Sequence, residues 1–394
     1  MTPDDHAPPT LTLIRLFLKF LRFGCLAFGG PIAQIGMIRH ALVEEDRWIS
    51  SERFNRLLAV MQALPGPEAH ELCVHMGMIA RGRIGGILAG LGFMLPGLLL
   101  MLLAGWLYAA WIALPFTPGI MLGVQVVVLA IILRAVHRIG RHVLDSPLPW
   151  ILAAGSLAGT LAAVPFWIPL VAAGLVSAFA DRKLATGAVL IAAVALALFL
   201  RDHAGAPLEL AETAVSSPGI AALFLAGLKG GLLTFGGAYT AIPYVRADTV
   251  GRGWLSDGSF LDGVALANTL PAPLVIFATF AGYLAGGLEG ALAITAGMFL
   301  PAFAFSLVFF ERLEAVVENT ALHAFLAGVA AAVIGVILAT WLQLTWSTWE
   351  QSTNPLAGIC LFAIALVAAW YIRSRMATPL LILAGGIAGA AVAL

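Results

Sequence analysis

The sequence predicts an all-α polytopic integral membrane protein of two inverted-topology repeats, with about 13 membrane helices and some broken or re-entrant segments. Three observations predict it: the apolar content, the spacing of the apolar runs, and an internal duplication. Of 394 residues, 61% are hydrophobic and 11% charged, whereas ordinary soluble domains hold roughly 45–50% and about 25%. Mean hydropathy is +0.98. A soluble chain of this make-up has too little polar surface to cover its core. That excludes a soluble enzyme and a disordered regulator. The 21 Lys+Arg balance the 21 Asp+Glu, and no basic patch points to nucleic acid. Cys25, Cys73 and Cys360 lie in apolar stretches without C-x-x-C spacing, so they read as small buried hydrophobes rather than a disulfide framework.

In chain order, candidate helices cover 13–37, 54–80, 84–112, 118–140, 148–163, 165–180 and 184–200. After a polar link at 201–217 come 219–245, 259–285, 288–312, 321–346, 355–372 and 377–394. The first run carries Arg15, Lys19 and Arg22, so it fits a membrane helix better than a cleavable signal. Helix 54–80 carries polar groups along its length and reads as a candidate re-entrant segment. With the N-terminus cytoplasmic, twelve Lys/Arg fall in inside loops and five, including Arg39 and Arg201, in outside loops. That bias sets the N-terminus inside and the C-terminus outside. The stretches 39–56 and 246–259 read as surface-lying, and Trp48 and Trp254 as interfacial anchors.

The duplication divides the chain into a first copy, 1–183, a linking helix and loop, 184–217, and a second copy, 218–394. Phe28-Gly29-Gly30 matches Phe235-Gly236-Gly237, and Arg39 matches Arg246, both at an offset of 207. Trp48-Ile49-Ser50 matches Trp254-Leu255-Ser256, and Pro65-Gly66-Pro67 matches Pro271-Ala272-Pro273. Phe93-Met94-Leu95-Pro96 aligns with Met298-Phe299-Leu300-Pro301 and Gly123 with Gly328, where the offset has drifted only to 205. Seven crossings before the second copy place it upside down. Inverted repeats with broken helices are a transporter architecture, with the site between the halves near the midplane.

The motifs define a candidate anion site. In Phe28-Gly29-Gly30-Pro31 the glycines loosen an apolar helix and the proline cannot donate to its ladder. A helix that breaks and restarts there presents free N–H groups and a positive dipole end, suited to an oxyanion. Pro65-Gly66-Pro67 must also interrupt a helix, which lipid tolerates only where protein or a wet cavity supplies partners. Glu68, Glu71 and His75 follow on one helical face, and such intramembrane ionisable groups are candidates for proton coupling. Arg39 and Arg246, one from each copy, are candidates to hold a tetrahedral dianion through forked hydrogen bonds. His70-Glu71 and His75 form H-E-x-x-x-H; the extra residue turns the second histidine roughly 140° from the first. No metal and no cofactor is expected.

Taken together, these residues resemble the chromate ion transporter family in its long two-domain form. The resemblance rests on Phe28-Gly29-Gly30-Pro31, Glu44-Glu45, Trp48-Ile49-Ser50, Leu64-Pro65-Gly66-Pro67-Glu68-Ala69 and Phe93-x-Leu95-Pro96-Gly97. In the second copy it rests on Phe235-Gly236-Gly237-Ala238-Tyr239, Pro243-Tyr244-Val245 and Gly253-Trp254-Leu255. It implies export of chromate, a sulfate-like oxyanion, linked to the proton motive force across the bacterial inner membrane. Where long members have an acidic residue and then T-P-G-P, this chain has Asn268-Thr269-Leu270-Pro271-Ala272-Pro273. Ala272 stiffens that break and Asn268 removes a titratable group.

The expected substrate-binding set is therefore Phe28, Gly29, Gly30, Pro31, Arg39, Pro65, Gly66 and Pro67, with Phe235, Gly236, Gly237, Arg246, Asn268, Pro271, Ala272 and Pro273. Glu68, Glu71 and His75 are the proton-coupling set. The expected partners are a small inorganic oxyanion, protons, the lipid bilayer and a second copy of the chain in a homodimer. Transport of sulfate or an organic anion, a passive anion channel and a membrane-embedded enzyme are the alternatives. Against the enzyme, the second copy supplies no paired catalytic group.

Overall fold

Both copies open with a helix of 13 residues, α1 (Leu13–Cys25) and, later, α9 (Ile220–Leu232). The computed structural model describes residues 11–112, 117–203, 218–235, 237–308, 320–372, 374 and 376–392. Helix α1 stops because Gly29 and Gly30 take φ of 90° and 77°, a left-handed region that side chains resist. Pro31 then sits in the first turn of α2 (Gly30–Arg39), where its missing N–H has no partner to lose. A π-helical turn, His40–Glu45, extends α2. In the second copy the chain restarts through a 3₁₀ turn, Ala238–Thr240, into α10 (Ala241–Thr249). Gly236 lies outside the described residues.

The next helices are α3 (Ser51–Ala63) and α11 (Asp257–Thr269). Ser50 and Ser256 cap them by accepting from the Arg53 and Ser259 amides, each at 3.2 Å. The serines of the two matched Trp-x-Ser motifs are thus N-caps. Both helices end in extended Leu64 and Leu270, as the following prolines require.

Helix α4 (Glu68–Trp111) follows the first of these breaks. A 3₁₀ turn, Leu274–Ile276, and α12 (Phe277–Val308) follow the second. Each long helix is a hairpin of two limbs. Arg81 and Gly82 take (−149°, 31°) and (59°, −157°), and Gly286 and Gly287 take (−149°, 24°) and (63°, −154°). A straight helix would hold residues 77 and 85 about 12 Å apart. Yet a Cβ at Gly77 would meet the Gly85 carbonyl at 2.3 Å, and one at Gly282 the Gly290 carbonyl at 2.6 Å. The limits expected between 80 and 84 and between 285 and 288 fall at these turns. The apolar runs 13–37, 54–80, 219–245 and 259–285 are each split, at the Gly-Gly or Pro-x-Pro motif where the sequence places a break.

The remaining described helices are α5 (Thr117–Val143), α6 (Pro147–Leu161), α7 (Trp167–Ala178), α8 (Lys183–His203), α13 (Thr320–Gln351), α14 (Pro355–Tyr371) and α15 (Ala377–Val392). Among the described residues there is no strand. Among the described residues five stretches are long and apolar enough to cross a membrane: Glu68–Trp111, Thr117–Val143, Lys183–Leu200, Leu274–Val308 and Leu322–Gln351. Five shorter helices are also apolar.

The chain forms two compact units that do not follow the two copies. One comprises residues 1–134, 218–311 and 344–394, the other 135–217 and 312–343. In the first unit α1 packs on α4, α9 on α12, and α4 on α12. Matched contacts recur: a Cβ at Gly92 would meet Phe17 O and Leu21 N, and one at Gly297 would meet Phe224 O and Leu228 N. Contacts between copies are reciprocal. Gly66 faces Ala302, and its counterpart Ala272 faces Gly97, the counterpart of Ala302. Helices α5 and α15 touch backbone to backbone through Gly119, Gly123, Gly385 and Gly389. In the second unit α13 approaches α6 and α7 as closely, at Gly335 and Gly328. Small residues allow such approach, which membrane helices use where water provides no drive.

Trp48 departs from its expected interfacial place. It is 3% exposed and packs edge-on against Phe20 at 6.2 Å, because the turn after the π segment folds it into the first copy's core. Arg312, Arg373 and Arg375, counted as inside charges, lie outside the described residues.

Candidate functional site

Four helix breaks, two from each copy, meet at one recess in the first unit. Its lining residues are Pro31, Gln34, Pro67, Glu68, Ala69, Ala238, Pro273 and Leu274. Pro31 and Ala238 are repeat counterparts, as are Pro67 and Pro273, and Glu68 and Leu274. The N-terminal ends of α2 and α4 and of the two 3₁₀ turns therefore surround one space. Helix N-termini carry partial positive charge and amide donors. The recess is partly open and admits about one water molecule.

Hydrogen bonds tie the breaks together. The Gly66 amide donates to the Thr234 carbonyl at 2.8 Å, joining the first copy's Pro-Gly-Pro to the second copy's Gly-Gly segment. On the other side a side chain makes the link. Gln34 Nε2 donates to the Ala27 carbonyl at 2.9 Å and to the Ala272 carbonyl at 2.8 Å. Gln34 is 1% exposed. The sequence reading missed it; its signal was a lone amide in the apolar run 32–38.

Behind the recess the first copy buries titratable groups. Glu68 is 8% exposed, and Glu71 is fully buried. Among the described residues neither Glu71 carboxylate oxygen has a hydrogen-bond partner. Its Oε1 sits where a Gly66 side chain would be, 2.5 Å from an ideal Cβ. Gly66 has φ 143°, so that position excludes a side chain by conformation and by space. His75 is buried farther along α4, with Arg53 of α3 nearby. His70 lies edge-on to Phe299 and Phe303 at 4.9 and 4.8 Å.

Of the expected binding residues, Pro31, Pro67 and Pro273 line the recess. Phe28, Gly29, Gly30, Pro65, Gly66, Phe235, Gly237, Pro271 and Ala272 form the breaks that flank it. Asn268 accepts from the Tyr239 hydroxyl at 2.8 Å and donates to the Val264 carbonyl at 2.9 Å. Arg39 and Arg246 are engaged by carboxylates. Arg39 pairs with Glu44 at 2.9 Å and donates to Ser51. Arg246 pairs two-pronged with Asp257 at 2.7 and 2.9 Å. Glu44, outside the membrane-capable helices, has its carboxyl held below the usual range by the His40 hydrogen bond first, and then by the His40 and Arg39 charges.

The profile of one protein family, described as chromate transporter, matches residues 14–206 and 221–390. The chain belongs to the chromate transporter family. The match falls on both copies, as the duplication requires. A chromate transport protein of Pseudomonas aeruginosa is 54% identical over 98% of this chain and 94% of its own length. One of Cupriavidus metallidurans is 31% identical, over 84% of this chain and 82% of its own. An uncharacterized transporter of Methanocaldococcus jannaschii is 26% identical over 85% of this chain and 86% of its own. No solved structure matches. Family membership and five membrane-capable helices make this a membrane protein of a transporter family.

Proposed function

We propose that this chain exports chromate across the bacterial inner membrane by alternating access at the four-break recess. The observation that carries the reading is the convergence of paired breaks from both copies on one space. Broken helices whose N-termini face a midplane site are how transporters hold anionic groups without a full counter-charge. The reciprocal Gly66–Ala302 and Ala272–Gly97 contacts support two copies related by a two-fold. With the N-terminus inside and the C-terminus outside, that two-fold lies in the membrane plane, and the copies are inverted.

The relatives named for chromate transport support a tetrahedral dianion as substrate. A space for about one water favours a carrier caught closed over a channel. Export of a dianion from a negative interior gains about 4–5 kcal/mol per 100 mV from the potential alone. Glu68 stands beside the anion and Glu71 behind it, so a proton on this pair removes the charge that would repel the substrate. Proton binding and anion binding are thereby linked, and one proton carried with the dianion leaves a net negative charge that the membrane potential drives outward, with His75 continuing the same face. The net fields of Arg39 and Arg246 are largely cancelled by Glu44 and Asp257, so the helix ends rather than the two arginines hold the dianion.

Labelled chromate uptake into everted vesicles tests the reading, with and without a proton gradient and with excess sulfate. Gradient-stimulated uptake is expected. Absent uptake, or uptake indifferent to the gradient, overturns it; suppression by sulfate reassigns the substrate to that oxyanion.

A further inference from the structure

The second copy buries two carboxyls apart from the recess residues: Asp248, paired with Lys229 and Arg252, and Asp262. Asp262 of α11 is 2% exposed. Its Oδ2 accepts from the Tyr108 hydroxyl of α4 at 2.7 Å, and its Oδ1 accepts from Gln125 Nε2 of α5 at 2.9 Å. The same Nε2 reaches the Gly258 carbonyl at 3.4 Å. Among the described residues no lysine or arginine pairs with Asp262. Asp257, on the same helix, is taken by Arg246. Helix α12 brings Phe280 edge-on to Tyr108 at 5.0 Å, and α15, which also packs on α11, has no titratable residue. The first copy has Arg56 at the position of Asp262, so the duplication does not account for the group.

Two details say what this carboxyl binds. The first is a path of hydroxyls. Ser259 lies beside Tyr108 and is hydrogen-bonded to the exposed Ser256. Ser256, Ser259 and Tyr108 thus lead from the surface to Asp262. The second is Gln125 Oε1, buried with no partner among the described residues. Turning the amide would place that oxygen against Asp262, where it accepts a hydrogen bond from the protonated carboxyl. The orphaned atom is satisfied once Asp262 is an acid, and the present donors suit it once it is a carboxylate.

We propose that Asp262 is a second proton-binding site, loaded through Ser256, Ser259 and Tyr108, with Gln125 reading its charge by turning its amide. The tyrosine proton moves to Asp262, and the Ser259 proton replaces it. A proton from hydronium at the surface, passed through Ser256, restores Ser259 and leaves water behind, so within the protein only Asp262 changes charge. Hydroxyl and carboxyl chains of this kind mark proton routes in membrane proteins. The use of the site in transport rests on the proton-coupled reading above; its existence does not.

The test is pH-difference infrared spectroscopy on the full-length protein in liposomes, paired with gradient-driven chromate uptake. A protonated carboxyl component is expected in the wild type and in the Glu68→Gln/Glu71→Gln double variant, and is lost from both when Asp262→Asn is added. Tyr108→Phe keeps the band and slows its appearance after a pH jump. Asp262→Asn also loses gradient stimulation of uptake. An unchanged spectrum in Asp262→Asn overturns the proposal, as does an unchanged rate in a folded Tyr108→Phe. If wild-type vesicles take up no chromate, the transport reading falls while the infrared result still decides the proton site.

Discussion

After its Pro-Gly-Pro break the first copy carries Glu68, His70, Glu71 and His75; at the same positions the second copy has Leu274, Ile276, Phe277 and Ala281. The backbones repeat closely, with matched 13-residue helices, matched serine caps and hairpin turns of nearly the same dihedral angles. The side chains behind the breaks do not. Duplication thus preserved the framework that surrounds the recess, while ionisable groups behind the breaks remained in one copy. The second copy buries its acids elsewhere, Asp248 against Lys229 and Arg252, and Asp262 against Tyr108 and Gln125. The recess is thus framed alike by both copies, while Glu68 and Glu71 stand at it from the first copy and Asp262 lies apart from it in the second.

The largest test of this asymmetry is to neutralise the first copy. Glu68→Gln and Glu71→Gln should each abolish the pH dependence of chromate uptake, measured in everted vesicles across a pH series. Persistence of the dependence in Glu68→Gln would remove that residue from coupling. Glycine substitution at the two breaks comes next. Gly66→Ala meets both a positive φ and the Glu71 carboxylate, so it should lose about 1–3 kcal/mol and transport with it. Ala272 has no positive φ, so Ala272→Gly should cost about 1 kcal/mol or less, read from thermal unfolding in detergent.

The reciprocal contacts offer a sharper comparison. Each joins one glycine to one alanine, Gly66 to Ala302 and Gly97 to Ala272. A Cβ at Gly97 would lie 2.3 Å from the Ala272 Cβ. Gly97→Ala should therefore destabilise by about 1–3 kcal/mol, and Ala272→Gly should restore much of that loss in the double variant. Additive losses would show that the two sites do not touch. The arginine pairs should matter less. Breaking Arg246–Asp257, with both side chains 19% exposed, by Asp257→Asn should cost about 1 kcal/mol or less. That should still exceed the effect of Glu44→Gln on the more exposed Arg39 pair.

The smallest effect is the acid response of Glu44. Its folded carboxyl titrates lower than in the unfolded chain. Its stabilisation is therefore complete above the ordinary carboxylate range and is lost as pH falls through the lowered value. Glu44→Gln should flatten that faint acid-side slope, as followed by the thermal midpoint between neutral and acid pH.

The breaks were legible because Gly-Gly and Pro-x-Pro act on the backbone within a few residues. The hairpin turns at 81–82 and 286–287 were legible as gaps between apolar runs. Gln34 and the Asp262 cluster were not, since their partners lie far along the chain: Gln34 reaches Ala272, and Asp262 reaches Tyr108 and Gln125. Arg39 and Arg246 were seen as a repeated pair, but repetition does not tell whether a carboxylate already holds a guanidinium. Trp48 was misplaced for a similar reason, because a tryptophan near a helix end suits the interface or a folded-back core equally well.

From sequence alone came the membrane class, the duplication and the interruption of four apolar runs, because each depends on composition or on local backbone chemistry. The tertiary structure alone decided that the four breaks share one recess, that Gln34 bridges two of them, and which charges are already paired. The first two turn on close approach between segments more than a hundred residues apart, whereas Arg39–Glu44 and Arg246–Asp257 are 5 and 11 residues apart and depend on how the intervening turns bring them together. A glycine facing an alanine permits that approach, and nothing in either residue's own neighbourhood announces it.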